Sequence, residues 1–138
     1  MADFLRFVAA QPPAPPDTEA LQAASACLDR FTAAFNACDT AAMDAELQFP
    51  HVMFSGAQRL EWPAPGQHPA DFFVRLKATG WVRTAYVAKD AVLAAPDKVH
   101  FVVTYTRHDA AGRVLSTHRN LWIATCRAGR WGIVLRSY

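Results

Sequence analysis

No stretch of this chain approaches the roughly 18 to 20 apolar residues that crossing a bilayer requires, so no membrane association is expected. Charge of one sign is scarce too: 14 basic side chains against 12 acidic leave a formal +2, with no basic block. Nucleic acid is therefore not an expected partner. Cysteine is limited to Cys27, Cys38 and Cys126, at neither zinc-like nor redox-like spacing. Cys27 and Cys38 fall within one expected helix, too far apart to bridge, so free thiols in a reducing cytoplasm are the natural reading. No glycine-rich loop follows a strand, which argues against nucleotide cofactors. The five histidines include no HxH pair, and the one arrangement left open for a metal is a cluster of His51, His100 and His118 across a sheet. Neither metal nor cofactor is expected.

What the chain does have is apolar mass: 52% of its 138 residues, enough for one core. The opening MADFLRFVAAQPPAPP is a poor signal peptide, with a short, broken apolar patch. Residues 1–16 read instead as a docking segment, Phe4, Leu5, Phe7 and Val8, seated on its own domain or a partner subunit. The prolines at 12, 13, 15 and 16 follow as a stiff linker.

A single domain then runs over 17–138. Leu21, Ala24, Leu28, Phe31, Ala34, Phe35 and Cys38 recur three or four apart, predicting a helix over 17–38 capped by Asp17 or Thr18. A short helix over about 40–47 follows, then a hairpin through HVMF and AQRLEW. WPAPGQHP is a loop with three prolines, and a third helix spans about 69–78. From Trp81 onward the pattern turns to strands, at about 82–94, 98–108, 114–126 and 130–137. The intervening turns are short enough to force antiparallel neighbours. The class is α+β, with three N-terminal helices packed on an antiparallel sheet. The last strands are apolar on both faces, so one face should meet the helices and the other a second subunit, which predicts a homodimer.

This element order, with FTAAFNACD in the first helix and LWIATCRAGRWGIVLRS at the close, resembles the NTF2-like superfamily. More narrowly, it looks like the SnoaL-like and DUF4440-like small proteins. The resemblance covers about residues 18–138 and implies a cone-shaped barrel with a strongly curved sheet around a hydrophobic pocket. The superfamily holds isomerases, cyclases, dehydratases, epoxide hydrolases and non-catalytic binding domains, so residues must decide the chemistry. Laid over this chain, the isomerases' helix tyrosine falls on Phe31 and their hairpin aspartate near Phe54 or Ser55. No acid lies inside strands 98–108 or 114–126, so that constellation is absent. The epoxide hydrolase pattern needs two carboxylates. Here Arg83, Arg119 and Arg136 lie on strands, with Asp90 the one strand carboxylate. Cyclases and dehydratases lean on a His and an Asp, and the histidines are present without an obvious buried acid.

Buried polar groups are the places to look for a site, because they cost free energy unless paired. Alternation puts Ser116, His118, Asn120 and Trp122 on one face of their strand, and Val134, Arg136 and Tyr138 together on the last. The opposite phase would turn Thr117 and Arg119 inward, and the pattern alone leaves the phase open. His51, at the start of the hairpin, and His118 are the candidate proton carriers. Arg136, inside the apolar VLRSY, is the candidate for stabilising negative charge. Phe31, Tyr86, Asn120 and Trp122 are the candidate ligand contacts. His68 in the proline loop and His108 at a strand end read as solvated. The expected function is a small cofactor-independent enzyme, of isomerase, dehydratase or cyclase type, acting on an apolar carbonyl-bearing or aromatic molecule. The alternative is a non-catalytic ligand-binding or accessory dimer.

Overall fold

A computed structural model describes residues 3–9 and 12–138. Helix α1 (Phe4–Phe7) is a single turn whose N-terminus is capped by the Asp3 carboxylate, which accepts from the Leu5 N–H at 3.0 Å. Phe4, Leu5, Phe7 and Val8 are all exposed, so the segment does not pack on its own domain. The prolines after it carry no regular structure.

Helix α2 (Thr18–Asn36) starts where Asp17 accepts from the Ala20 N–H at 2.8 Å. It buries Ala20, Ala24, Cys27, Leu28, Phe31 and Ala34, the stripe that its spacing dictates. It ends in a Schellman reversal: Cys38 N–H bonds to Phe35 O at 2.9 Å and Asp39 N–H to Ala34 O at 3.0 Å, with Cys38 in the left-handed region. Asp39 then caps α3 (Thr40–Ala45), accepting from the Ala42 N–H. The tight turn aims Met43 and Asp44 inward, and both are buried.

Six strands follow, with α4 (Phe72–Ala78) between the second and third: β1 (Leu47–Ser55), β2 (Gln58–Trp62), β3 (Arg83–Ala95), β4 (Lys98–His108), β5 (Val114–Arg127) and β6 (Arg130–Ser137). They form one sheet in the order β2-β1-β6-β5-β4-β3. Two expectations are corrected here. The sheet is mixed rather than antiparallel, because β1 runs parallel to β6. Nor is it a strongly curved, cone-shaped barrel: β2 and β3 are separate edges that do not pair with each other, so the sheet stays open. Helices cover one face instead of strands closing it. Among the described residues there are also four helices, the three expected and α1.

The buried face of the sheet is fixed by register. Val99, Phe101, Val103 and Tyr105 on β4 sit opposite Ala124, Trp122, Asn120 and His118 on β5, and Trp122 sits opposite Arg136 on β6. This settles the phase left open by the pattern: Asn120, Trp122 and Arg136 face the helices, while Thr117 and Arg119 are exposed. The parallel join is close. A Cβ on Gly132 would lie 2.9 Å from Gln48 Cγ and 3.0 Å from the Leu47 carbonyl carbon, so only glycine fits there.

Candidate functional site

A cavity of about 350 Å³ lies between α2, the loop before α4 and the covered face of the sheet. That is the lower end of the usual size for small-molecule sites. Its wall is mostly apolar. Phe31, which is 2% exposed, meets the Trp122 ring edge-on at 5.7 Å, and Phe35, Met43, Met53, Trp62, Phe72 and Tyr86 continue the surface.

Arg136 is the most deeply set charge on that wall, 6% exposed. Its Nε donates to His51 Nε2 at 3.0 Å, and an Nη donates to Met53 Sδ at 3.3 Å. The guanidinium carbon stands 5.0 Å from the centre of the Phe31 ring and 5.9 Å from that of Tyr138. Among the described residues it forms no ion pair with a carboxylate.

His51 is fully buried behind Arg136 and is not on the cavity wall. The Arg136 Nε–H needs a lone pair on Nε2, which puts the ring proton on Nδ1, where it donates to Ile133 O at 2.9 Å. Burial first, and the neighbouring guanidinium second, push its pKa down to about 3. His51 is thus a neutral acceptor that orients Arg136.

The acid that the sequence did not reveal is Asp44. His68 lines the cavity, and its Nδ1 stands 3.3 Å from Asp44 Oδ1, both side chains more than nine-tenths buried. The two atoms are at ion-pair distance without hydrogen-bond alignment, and His68 Nε2 is likewise buried without a partner. Asp44 is held from its other oxygen, Oδ2, by the Gly66 N–H at 2.9 Å. The loop is closed over the site by Trp62, whose ring meets that of His68 edge-on at 4.6 Å. Burial lowers the His68 pKa, Asp44 opposes that shift, and Arg136 adds to it. The reading of His68 as solvated is therefore corrected: the proline loop folds inward because its histidine has a buried carboxylate and a tryptophan to pack on.

The remaining candidates divide. Phe31, Tyr86, Trp122 and Arg136 line the cavity. Asn120 lies behind it, donating to the Tyr105 hydroxyl at 2.8 Å, and so orients a phenol that does line it. Burial pushes the Tyr105 hydroxyl up to about 12, so it remains a proton donor. The Tyr86 hydroxyl donates to Leu28 O at 3.1 Å, which commits its proton to the protein, and burial raises its pKa as well. His118 stacks on Tyr105 at 4.9 Å and shares a 2.8 Å hydrogen bond with Ser116, outside the cavity. Arg107, which sequence reasoning passed over, also lines the wall, with its Nε buried and without a partner. Its signal was alternation: it is two residues beyond Tyr105 on the inward face of β4. Among the described residues no three His, Cys, Asp or Glu side chains come together as a metal site, and no helix is long and apolar enough to cross a membrane.

A scan of protein-family models finds no match to the chain, and a search of curated proteins finds none either. Solved structures do resemble it. A ketosteroid isomerase-like protein from Erwinia carotovora atroseptica superposes with a TM-score of 0.64 at 20% identity, covering 88% of this chain and 95% of the other. An NTF2-like protein of unknown function from Pseudomonas putida gives 0.67 at 13% identity, covering 89% and 87%. The fold is NTF2-like. A protein of unknown function with a cystatin-like fold from Nostoc punctiforme also gives 0.67, at 10% identity over 90% and 92%. Identities this low carry the fold and nothing of the chemistry.

Proposed function

We propose that the cavity is the active site of a cofactor-independent enzyme that moves a proton on a small apolar, carbonyl-bearing or aromatic molecule, as in isomerisation, dehydration or cyclisation. The observation that carries this reading is the His68–Asp44 pair at the edge of an apolar cavity that also holds Arg136. Burial favours neutral His68, which can accept a proton at neutral pH. Once it does, the imidazolium gains the Asp44 carboxylate 3.3 Å away, so the pair favours the protonated base when it forms. Arg136 and the Tyr105 hydroxyl supply positive charge and a hydrogen-bond donor for the oxyanion that develops as the proton leaves. His51 is a positioning residue for Arg136, and His118 packs against Tyr105. A SnoaL-like or DUF4440-like relationship agrees with a histidine-and-aspartate site in place of the isomerase tyrosine and aspartate.

The test uses acetophenone in D₂O, with exchange of its methyl protons followed by NMR. Wild type is expected to exchange them above the buffer rate, with a loss of about a hundredfold in His68→Gln. Asp44→Asn should lose about tenfold, by removing the charge that stabilises the imidazolium. Exchange at the buffer rate, or unaltered in His68→Gln, refutes the assignment. The largely apolar wall, and Phe31 where the isomerases carry a tyrosine, favour a second reading as a non-catalytic binding protein. Ligand uptake without exchange would identify that case. The partly covered apolar face of β4 to β6, with Val102, Leu121 and Ile123, supports a homodimer, and the three free cysteines support a cytoplasmic setting.

A further inference from the structure

The geometry points to a substrate that carries a carboxylate of its own, bound by Arg107, with an apolar or aromatic body in the cavity. This rests on the cavity being the ligand site proposed above and adds the chemical class of what enters it.

The argument is one of unmatched charge. Four exposed arginines find acids, Arg30 with Glu46, Arg59 with Glu61, Arg75 with Asp71 and Arg113 with Asp109. Arg6, Arg83 and Arg119 have no ion pair among the described residues and stand in solvent, which screens them. Arg127 and Arg130 donate to backbone carbonyls. The two arginines that line the cavity, Arg107 and Arg136, have no acid among the described residues. The one buried carboxylate among the described residues is Asp44, which stands 3.3 Å from His68 Nδ1 and accepts from the Gly66 N–H. Two guanidinium groups therefore face an apolar space, and among the described residues neither has a carboxylate at ion-pair distance.

Desolvated cations without a counter-charge are costly, and an anionic ligand removes that cost. The two arginines differ in what they have left to offer. Arg136 is fixed by His51 and Met53 and set deep in the wall, suited to one carbonyl oxygen. Arg107 is half-buried and nearer solvent, and its Nε is buried with no acceptor. Neither Nη of Arg107 donates to a partner among the described residues, and the two together present the parallel donors that a carboxylate accepts. A substrate with its carboxylate on Arg107 and its carbonyl toward Arg136 would be held at both ends, with its aromatic body against Trp122 and Phe31. An oxo-acid with one ring is of that kind.

The test is binding of 3-benzoylpropionate against its methyl ester, which keeps the ring and ketone and removes the charge. Both are titrated by calorimetry at pH 7.5, and again at raised salt. Wild type should bind the acid at least tenfold more tightly than the ester, and Arg107→Gln should abolish that preference. Circular dichroism and thermal melting of Arg107→Gln show that the variant is folded. Equal binding of acid and ester by wild type overturns the carboxylate inference and leaves the cavity reading standing. A preference that survives in Arg107→Gln overturns the assignment to Arg107. Binding of neither compound overturns both. In His68→Gln the acid preference should persist although proton exchange is lost, which separates recognition from chemistry.

Discussion

Acid should destabilise this protein through His51 more than through any other histidine. The ring is fully buried, with Nδ1–H bonded to Ile133 O and the Nε2 lone pair to the Arg136 Nε–H. Protonation would place a hydrogen where that lone pair is, breaking the 3.0 Å bond and setting two cations against each other in the core. In the unfolded chain the same ring titrates near 6.5; in the fold its pKa is about 3. Between those values the unfolded state binds a proton that the folded state refuses, so stability falls as pH falls. Above pH 6.5 both states are neutral and the term vanishes; below about 3 both are charged and no further loss accrues. The difference of about 3.5 pH units corresponds to roughly 5 kcal/mol, or about 1.4 kcal/mol per unit. That is a large part of the roughly 5 to 15 kcal/mol that holds a domain of this size. Urea denaturation at pH 7, 6, 5 and 4 measures it, comparing wild type with His51→Gln, whose amide does not titrate. His68, His100 and His118 have pKa values shifted in the same direction and contribute to both proteins. The difference in slope isolates His51. Parallel pH dependence in the two proteins would refute the buried neutral histidine.

Two further outcomes follow from the packing. Gly132→Ala should lose about 1 to 3 kcal/mol in urea denaturation, because its Cβ would fall 3.0 Å from Leu47 backbone in the parallel join and push on the buried Gln48. A variant as stable as wild type would mean that β1 can move away from β6. Cys27 is buried against the Glu46 and Trp131 carbonyls, and burial pushes its thiol up to about 12. At pH 8 it should resist a thiol reagent until the protein is unfolded, whereas the half-buried Cys38 and Cys126 should react in the native state.

Element positions were legible because each rests on local chemistry. Asp17 caps the first long helix as expected, and the turn residues at 96–97 and 128–129 fall between the strands they separate. Strand pairing over long separations was not legible. The parallel contact of β1 with β6 joins segments some 85 residues apart, and the lone local trace of it is Gly132, a glycine inside an otherwise well-filled strand. The open sheet was missed for a related reason. The resemblance supplied a barrel, and nothing in the strand patterns of β2 and β3 states that their outer edges remain unpaired.

The site divides along the same line. Arg136, Phe31 and Trp122 were identifiable because each is conspicuous within its own element: a charge in an apolar strand, or an aromatic ring on a buried stripe. His68 was not, because its surroundings are prolines and glycine, which describe a surface loop when read locally. Its burial depends on Asp44, which lies 24 residues earlier on a six-residue helix. Asp44 faces inward because Cys38 and Asp39 reverse the chain just before that helix. The proposed base and its carboxylate thus come from two segments that carry no chemical signature separately. Arg107 adds the complementary case. Its neighbours on β4 alternate as those of any inward residue do, and its place on the cavity wall without an ion pair among the described residues distinguishes it from a structural arginine. A histidine that burial keeps neutral, a fixed guanidinium and an uncommitted one are then brought to the same apolar wall by three different segments, the loop before α4, β6 and β4. Among the described residues neither cation has a carboxylate at ion-pair distance, and the proposed anionic ligand would supply one.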